Sequence, residues 1–333
     1  MGAALVLDDA AVRAALTPDA CREAMIEALI AHAEGRASFP LRSVFSPPQS
    51  GGFLGLMPAH LSGDPGAFGV KAVAIMPHTP GRDLDAHQGL VALFSGETGT
   101  VTAVLGASAI TEIRTAAVTA AATDALARAD ATVLAIIGAG VQGRAHLTAL
   151  ASRRPWREIR IASRRPESAQ ALAARAGELA GDSAGAVAAV AGAREAVQGA
   201  DVVVCATSSR APVLERAWLA EGAHVNAVGA SAPTARELDV ATVAAASLFA
   251  DSRESLTNEA MEYRLAAEEG AIDADNHLRA ELGEVLAGRR PGRTAPDELT
   301  LFRSLGVGIE DLAAAELAVA RARELGLGIE VSL

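Results

Sequence analysis

Lysine is nearly absent from this chain. Of the 29 basic residues among 333, one is a lysine, Lys71, and the rest are arginines. A surface that takes arginine wherever a cation serves leaves Lys71 as a position where an ammonium is wanted, because lysine shifts its pKa and moves protons while arginine stays charged. Cysteine is also scarce. Cys21 and Cys205 are far apart and lack metal-ligand spacing, which excludes a disulfide framework and a cysteine metal site and fits reduced structural thiols. Aromatic residues make up 3% of the chain, and acidic residues outnumber basic ones 40 to 29, giving a net charge of -11. With no basic block interleaved with aromatics, nucleic acid is not an expected partner. No apolar run reaches the roughly 18 residues of a membrane span. The start, "MGAALVLDDAAVRAAL", has neither the basic nor the long apolar region of a signal peptide, so a cytoplasmic location is expected.

What is present is an abundance of alanine, valine and leucine, enough for a large core, at a length that suits two domains. Residues 8–36 read as helix, from the spacing of Leu16, Met25, Leu29 and Ile30. Residues 37–106 read as a mainly antiparallel sheet, with "GLVALF" and "VTAVLG" flanking the hairpin signal "SGETG". Thr111 is the expected N-cap of the next helix. From Ala131 onward, strand-like runs ("TVLAIIG", "EIRIAS", "GAVAAV", "DVVVCAT", "AHVNAVG", "SLFAD") alternate with alanine-rich helical stretches, the pattern of a parallel sheet covered on both faces. The end, "GIEDLAAAELAVARARELGLG", reads as helix.

The segment "LAIIGAGVQGRAHLTAL" places Gly138, Gly140 and Gly143 in a GxGxxG arrangement between an apolar strand and a helix. The first glycine permits the tight turn, the second lets the backbone approach a pyrophosphate, and the third allows close helix–strand packing. The helix N-terminus, with Ala139, Val141 and Gln142 around it, offers amides to phosphate. The second strand ends in Ser163, Arg164 and Arg165, with no carboxylate for the ribose hydroxyls of NAD. Guanidinium groups there suit a 2′-phosphate, so NADP(H) is the preferred cofactor and NAD(H) a possible one.

Along most of its length the sequence resembles the ornithine cyclodeaminase/mu-crystallin family. The resemblance rests on "PLR" (40–42), "GLMP" (55–58), "GVKAV" (69–73), "HQGLVALFSGETG" (87–99), "ITEIRTAA" (110–117), "GAGVQGRAH" (138–146), "AVGASAPTARELD" (227–239) and "LFRSLGVGIEDLA" (301–313), in that order. It implies an α/β protein with a Rossmann dinucleotide-binding domain at about 119–306. A second α+β domain for substrate binding and dimerisation would be built from 1–118 and 307–333, giving a homodimer. By position, Arg42, Lys71 and Arg114 match the basic residues around a substrate carboxylate, and Lys71 the lysine nearest the reacting nitrogen. Thr115 and the helix start beside it match cofactor phosphate contacts, Thr207 and Ser208 residues near the ribose, and Ser304 and Gly306 a loop near the nicotinamide.

Two departures narrow the expected chemistry. Cyclodeaminases of the family share a glutamate just before "LMP" and an aspartate in the loop before "EL", where this chain has Gly55 and Ser231. Without those carboxylates, ring closure with loss of ammonia lacks its acid and base groups. The Ser231 segment resembles the ketimine-reductase branch, so Ser231 is a candidate substrate contact, as is His87 at the start of "HQG". His60 and His78 read as structural. No histidine pair has metal-ligand spacing beside a carboxylate, so no catalytic metal is expected. The expected activity is NAD(P)H-dependent reduction of a small α-imino acid, reversible as an amino-acid dehydrogenase, with an imino or keto acid as the small-molecule partner. The alternatives are an ornithine cyclodeaminase with relocated acid/base groups and a noncatalytic NADP(H)-dependent binding protein.

Overall fold

Two glycines decide how closely the last helix can seat on the first sheet, and that seating builds the cluster around Lys71. The computed structural model describes residues 3–76, 87–181, 185–231 and 234–333. The chain forms two compact units, one of residues 1–114 with 307–333 and the other of residues 115–306. The first unit begins with β1 (Ala3–Leu7), α1 (Asp9–Ala15) and α2 (Pro18–Ala33). The single helix expected over 8–36 is therefore two. Thr17 caps α2 with its side chain and Pro18 occupies the first helical turn, where a missing N–H costs nothing. Strands β2 (Ala37–Ser38), β3 (Ser43–Phe45), β4 (Phe53–Leu61), β5 (Ala67–Ile75), β6 (His87–Ser95) and β7 (Val101–Gly106) follow. The five residues "GETGT" close the β6–β7 hairpin, with Gly99 in the left-handed region at φ 69°. Then comes α3 (Ala107–Leu126), within which the division between the units falls.

The second unit alternates β8 (Val133–Ile137), α4 (Val141–Ala151), β9 (Glu158–Ala162), α5 (Pro166–Ala174), α6 (Ala176–Ala180), β10 (Ala186–Ala189), α7 (Ala193–Val197) and β11 (Val202–Cys205). It continues with β12 (His224–Ala227), α8 (Val240–Ala245), β13 (Ser247–Ala250), α9 (Arg253–Glu259), α10 (Met261–Glu268), β14 (Leu278–Glu281), α11 (Leu282–Leu286) and β15 (Thr300–Arg303). The chain returns to the first unit as α12 (Gly308–Leu325) and β16 (Ile329–Ser332).

Among the described residues, the first unit's sheet runs β16-β1-β7-β6-β5-β4-β2, with β3 also on β4. The β4–β7 meander is antiparallel, as expected for 37–106. Strand β1 joins β7 in parallel, and β16 closes the edge. Strands β1 and β16 had no clear alternation to announce them. Helix α12 packs on β4 and β5, with Leu312 filling the space where a Cβ at Gly69 would come within 2.8 Å. A Cβ at Gly308 would likewise meet the Pro58 carbonyl at 2.7 Å. Larger residues at 69 or 308 would lift the start of α12 off the sheet.

The second unit's sheet is parallel, in the order β10-β9-β8-β11-β12-β15-β13-β14. Its first six strands give the doubly wound dinucleotide-binding order, which reverses direction between β8 and β11. All five residues of β8 are buried, as a strand covered on both faces requires. The α/β fold class expected from the sequence is the one found. Strands β14 and β15 were not anticipated, although β15, "TLFR", lies inside the sheet and is wholly buried. No helix among the described residues is long and apolar enough to cross a membrane.

Candidate active site

In the first unit, the alternation of β5 turns Lys71 toward the face covered by α12, leaving it 4% exposed. Close seating of α12 brings Asp311 of its first turn against Lys71 and Glu310 against Arg114. Lys71 Nζ lies 2.8 Å from Asp311 Oδ2 and 3.5 Å from Thr111 Oγ1. Arg114 on α3 donates from Nε to Asp311 Oδ1 at 3.0 Å and from Nη1 to Glu310 Oε2 at 2.7 Å. Lys71, Arg114, Glu310 and Asp311 are all buried. The carboxylates also sit at the positive end of the α12 dipole. Burial pushes the Lys71 ammonium down to about 8; Asp311 opposes this, and Arg114 and Arg42 add to it. For Asp311 burial works in the other direction, yet Lys71 and Arg114 hold its carboxyl below the usual range. Cys21 on α2 is pushed up to about 12 by burial and remains a thiol beside Arg114 and Glu310.

Thr111 was expected to cap α3, but the helix starts at Ala107. Asp9 supplies the cap from outside, accepting from the Ala109 amide at 3.0 Å. A capping partner so distant in sequence left Thr111 as the nearest candidate. Thr115 consequently lies in mid-helix rather than beside a helix start, and its carbonyl accepts from Thr119 Oγ1. Arg42 is half-buried in the segment before β3. His87 begins β6, paired with Ile75, and its side chain lies outside the described residues, as does His78. His60 stacks at 4.5 Å on Phe68.

In the second unit the turn after β8 lies at the reversal of strand order. Gly138 has φ 117°, which other residues avoid, and a Cβ there would strike the Ala206 carbonyl. A Cβ at Gly143 would strike the Gly138 carbonyl. At Gly140 nothing lies within 4 Å of the Cβ position, and α4 has no side-chain cap. An open cradle before an uncapped helix start fits a dinucleotide pyrophosphate, and Ala139, Val141 and Gln142 border it. Arg164 and Arg165 are exposed just past β9, beside half-buried Ser163.

Three buried anchors escaped the sequence reading. Glu237 accepts from the Thr207 amide at 2.6 Å, the Thr207 hydroxyl at 2.7 Å and the Gly229 amide at 2.7 Å, tying together the ends of β11 and β12. Burial raises its carboxyl against these hydrogen bonds. Asp251 Oδ2 accepts from the amides of Leu305 and Gly306, both at 2.6 Å, and so fixes the Ser304–Gly306 loop. Arg303 pairs with Glu262 at 2.7 Å and donates to the carbonyls of Ala227, Ser304 and Ala230, next to exposed Ser231. Two signals were available: a charge directly after an apolar strand, as in "SLFAD" and "LFR", and two adjacent acids opening an alanine-rich helix. Ser208 is exposed. Among the described residues, no three histidine, cysteine or acidic side chains are grouped to hold a metal.

A dinucleotide-binding sheet with an open phosphate cradle, joined in one chain to a buried lysine–arginine–carboxylate cluster, belongs to an NAD(P)-dependent oxidoreductase. The chain is a member of the ornithine cyclodeaminase/mu-crystallin family, whose sequence profile matches residues 3–325. Mouse ketimine reductase mu-crystallin is 37% identical over 85% of each chain. The structure of Thermococcus litoralis Delta(1)-pyrroline-2-carboxylate reductase, in complex with NADH and L-proline, superposes with a TM-score of 0.92 at 34% identity, covering 98% of this chain and all of that one. An archaeal alanine dehydrogenase dimer with bound NAD superposes with a TM-score of 0.92 at 32% identity over the full length of both.

Proposed function

We propose that this protein reduces a small α-imino acid to the amino acid with NAD(P)H, and runs in reverse as an amino-acid dehydrogenase. The carrying observation is that the chain's one lysine is buried, paired with Asp311 and adjacent to Arg114, where a substrate carboxylate and an imine nitrogen both need cations. The named relatives, which include a ketimine reductase and a pyrroline-carboxylate reductase, support the same reaction. The first unit is the substrate domain and the second the cofactor domain. The nicotinamide cofactor, when bound, supplies hydride to the imine carbon. Arg42, Lys71 and Arg114 receive the substrate carboxylate and orient the C=N bond. As hydride arrives, the π pair moves onto nitrogen and takes a proton from Lys71, which recovers one from water. His87 and Ser231 contact the remainder of the substrate. Thr115, Gly138 to Gly143, Thr207, Ser208, Ser304 and Gly306 hold the cofactor. Arg164 and Arg165 favour NADP(H) over NAD(H), and Ser163 lies beside them.

The protein works as a homodimer. Helices cover one face of the first sheet, while Phe45, Leu54, Leu56, Phe68 and Leu90 stand exposed on the other. The register places Leu56 opposite Ala72 and Ala72 opposite Leu90, so the exposed side chains form one apolar face that a second copy would cover.

The test is oxidation of NADPH and NADH with Δ1-pyrroline-2-carboxylate, and with pyruvate in the presence and absence of methylamine. Oxidation should require an imine, and NADPH should bind about tenfold or more tightly than NADH, the worth of a charge-assisted phosphate contact. Ammonia release from ornithine without net cofactor oxidation would instead indicate a cyclodeaminase. Inertness toward every imine would overturn the reductase reading.

A further inference from the structure

The proton assigned above to Lys71 has to be kept on a buried amine, and the surroundings of that amine work against it. Burial favours the neutral form. Arg114 on α3 and Arg42 before β3 repel the ammonium. Thr111, also on α3, offers Oγ1 at 3.5 Å and no charge. Cys21 on α2 stays protonated. Glu112 is engaged by Arg13 at 2.6 Å, and Glu310 by Arg114 at 2.7 Å. The strand neighbours of Lys71 on β4 and β6 are Met57 and Val91, neither of which titrates. Asp311 is the carboxylate in direct contact, and it serves both cations, with Oδ2 toward Lys71 and Oδ1 toward Arg114.

We propose that Asp311 is a positioning residue for the reaction, fixing Lys71 Nζ in place and keeping it protonated as the proton source. This rests on the reductase reading for its consequence, although the hold on Lys71 is testable without turnover. Asp311 itself gives up no proton. During reduction the Nζ–H bond breaks, an N–H bond forms on the substrate nitrogen, and the Lys71 amine stays beside the carboxylate until water reprotonates it. The net reaction consumes one imine, one reduced nicotinamide and one proton, and yields the amine and the oxidised nicotinamide. The geometry explains why lysine persists here in a chain otherwise given to arginine: a compact ammonium fits one carboxylate oxygen and can lose its proton.

Because the chain has one lysine, protein grown with lysine isotope-labelled at Cε gives a single lysine side-chain NMR signal. Its titration midpoint should lie near 8 in the unaltered protein. In Asp311→Asn it should fall by about one pH unit or more, the usual effect of losing an adjacent opposite charge. Asp311→Glu, whose carboxylate is displaced by one methylene, should fall between the two. Glu310→Gln should move the midpoint less than Asp311→Asn. The alkaline limb of kcat/KM with Δ1-pyrroline-2-carboxylate should follow the NMR midpoint in each variant, which loss of packing alone would not produce. An unmoved midpoint in Asp311→Asn overturns the proposal, and if that variant does not fold, an unmoved midpoint in Asp311→Glu does. A shift in Glu310→Gln as large as in Asp311→Asn also overturns it, as does a kcat/KM limb that stays fixed while the midpoint moves. If no imine is turned over, the reductase reading fails while the NMR titration still reports on Asp311.

Discussion

At the residue scale the sharpest question is whether Lys71 gives a proton or only a charge. Arginine at this position keeps the charge but does not readily release a proton, and its larger planar fork does not fit the place where the compact ammonium meets Asp311 Oδ2 at 2.8 Å. Lys71→Arg should therefore lose about a hundredfold or more in kcat, nearly as much as Lys71→Ala, since general acid catalysis typically contributes that much. If the lysine only neutralises charge, Lys71→Arg should keep its kcat and mainly raise KM. Steady-state kinetics with NADPH and Δ1-pyrroline-2-carboxylate separate the two. Cofactor binding, followed by fluorescence titration, should survive both changes, because the dinucleotide cradle belongs to the other unit. Lys71 was legible in the sequence by its rarity. Asp311 was not, because it stands 197 residues from Arg114 and further still from Lys71, and nothing local marks a buried pair.

At the scale of elements, the second unit carries two buried neutral histidines. His146 on α4 donates from Nδ1 to the Gln142 carbonyl at 2.7 Å, and its Nε2 lies 3.0 Å from Thr119 Oγ1 on α3. His224 on β12 donates from Nε2 to Asn226 Oδ1 at 3.2 Å and has Nδ1 2.9 Å from Thr300 Oγ1, and Asn226 in turn donates to Thr123 on α3. Burial depresses His146 to about 4 and His224 to about 3. The unfolded chain takes up these protons near 6.5, so the stability they contribute is full above that pH and is lost as pH falls toward the folded values. Each contributes a slope of about 1.4 kcal/mol per pH unit in that window. Glu237, raised by burial, acts in the opposite sense, so the informative quantity is a difference. Calorimetry from pH 7 to pH 5 should show a smaller fall in Tm for His224→Gln than for the unaltered protein. Equal falls would mean that His224 does not stay neutral in the folded state. The glycine turn after β8 was legible because its motif is contiguous, and the start of α3 was misread because Asp9 caps it from α1.

At the scale of the whole molecule, the exposed apolar face of the first sheet calls for a partner. Phe45 is 66% exposed and Phe68 50%, and isolated monomers rarely leave such side chains in one continuous patch. Light scattering at micromolar concentration should give twice the 33.8 kDa chain mass. Leu56→Glu, at a position 37% exposed, should give the single-chain mass with an unchanged circular dichroism spectrum. A monomer in the unaltered protein would remove the homodimer. The same sheet shows why alternation alone could mislead. Strand β4 alternates exposed and buried positions, yet its exposed side, with Leu54, Leu56 and Pro58, is as apolar as its buried side. Pattern gives the period of a strand and leaves open what covers its second face.

The sequence by itself determined the features that depend on neighbouring residues: the βα alternation and parallel sheet, the turn at Gly138–Gly143, the β6–β7 hairpin and the long C-terminal helix. Each follows from periodicity or backbone freedom within a few residues. Tertiary structure alone decided which charges meet. Glu310 and Asp311 become partners of Arg114 and Lys71 because Gly69 and Gly308 let α12 settle on β4 and β5, and Glu237 reaches Thr207 because β11 and β12 end side by side. A buried ion pair requires both desolvation and a partner at contact distance. Neither is a local property of the chain, so the acidic half of the cluster appeared only with the fold.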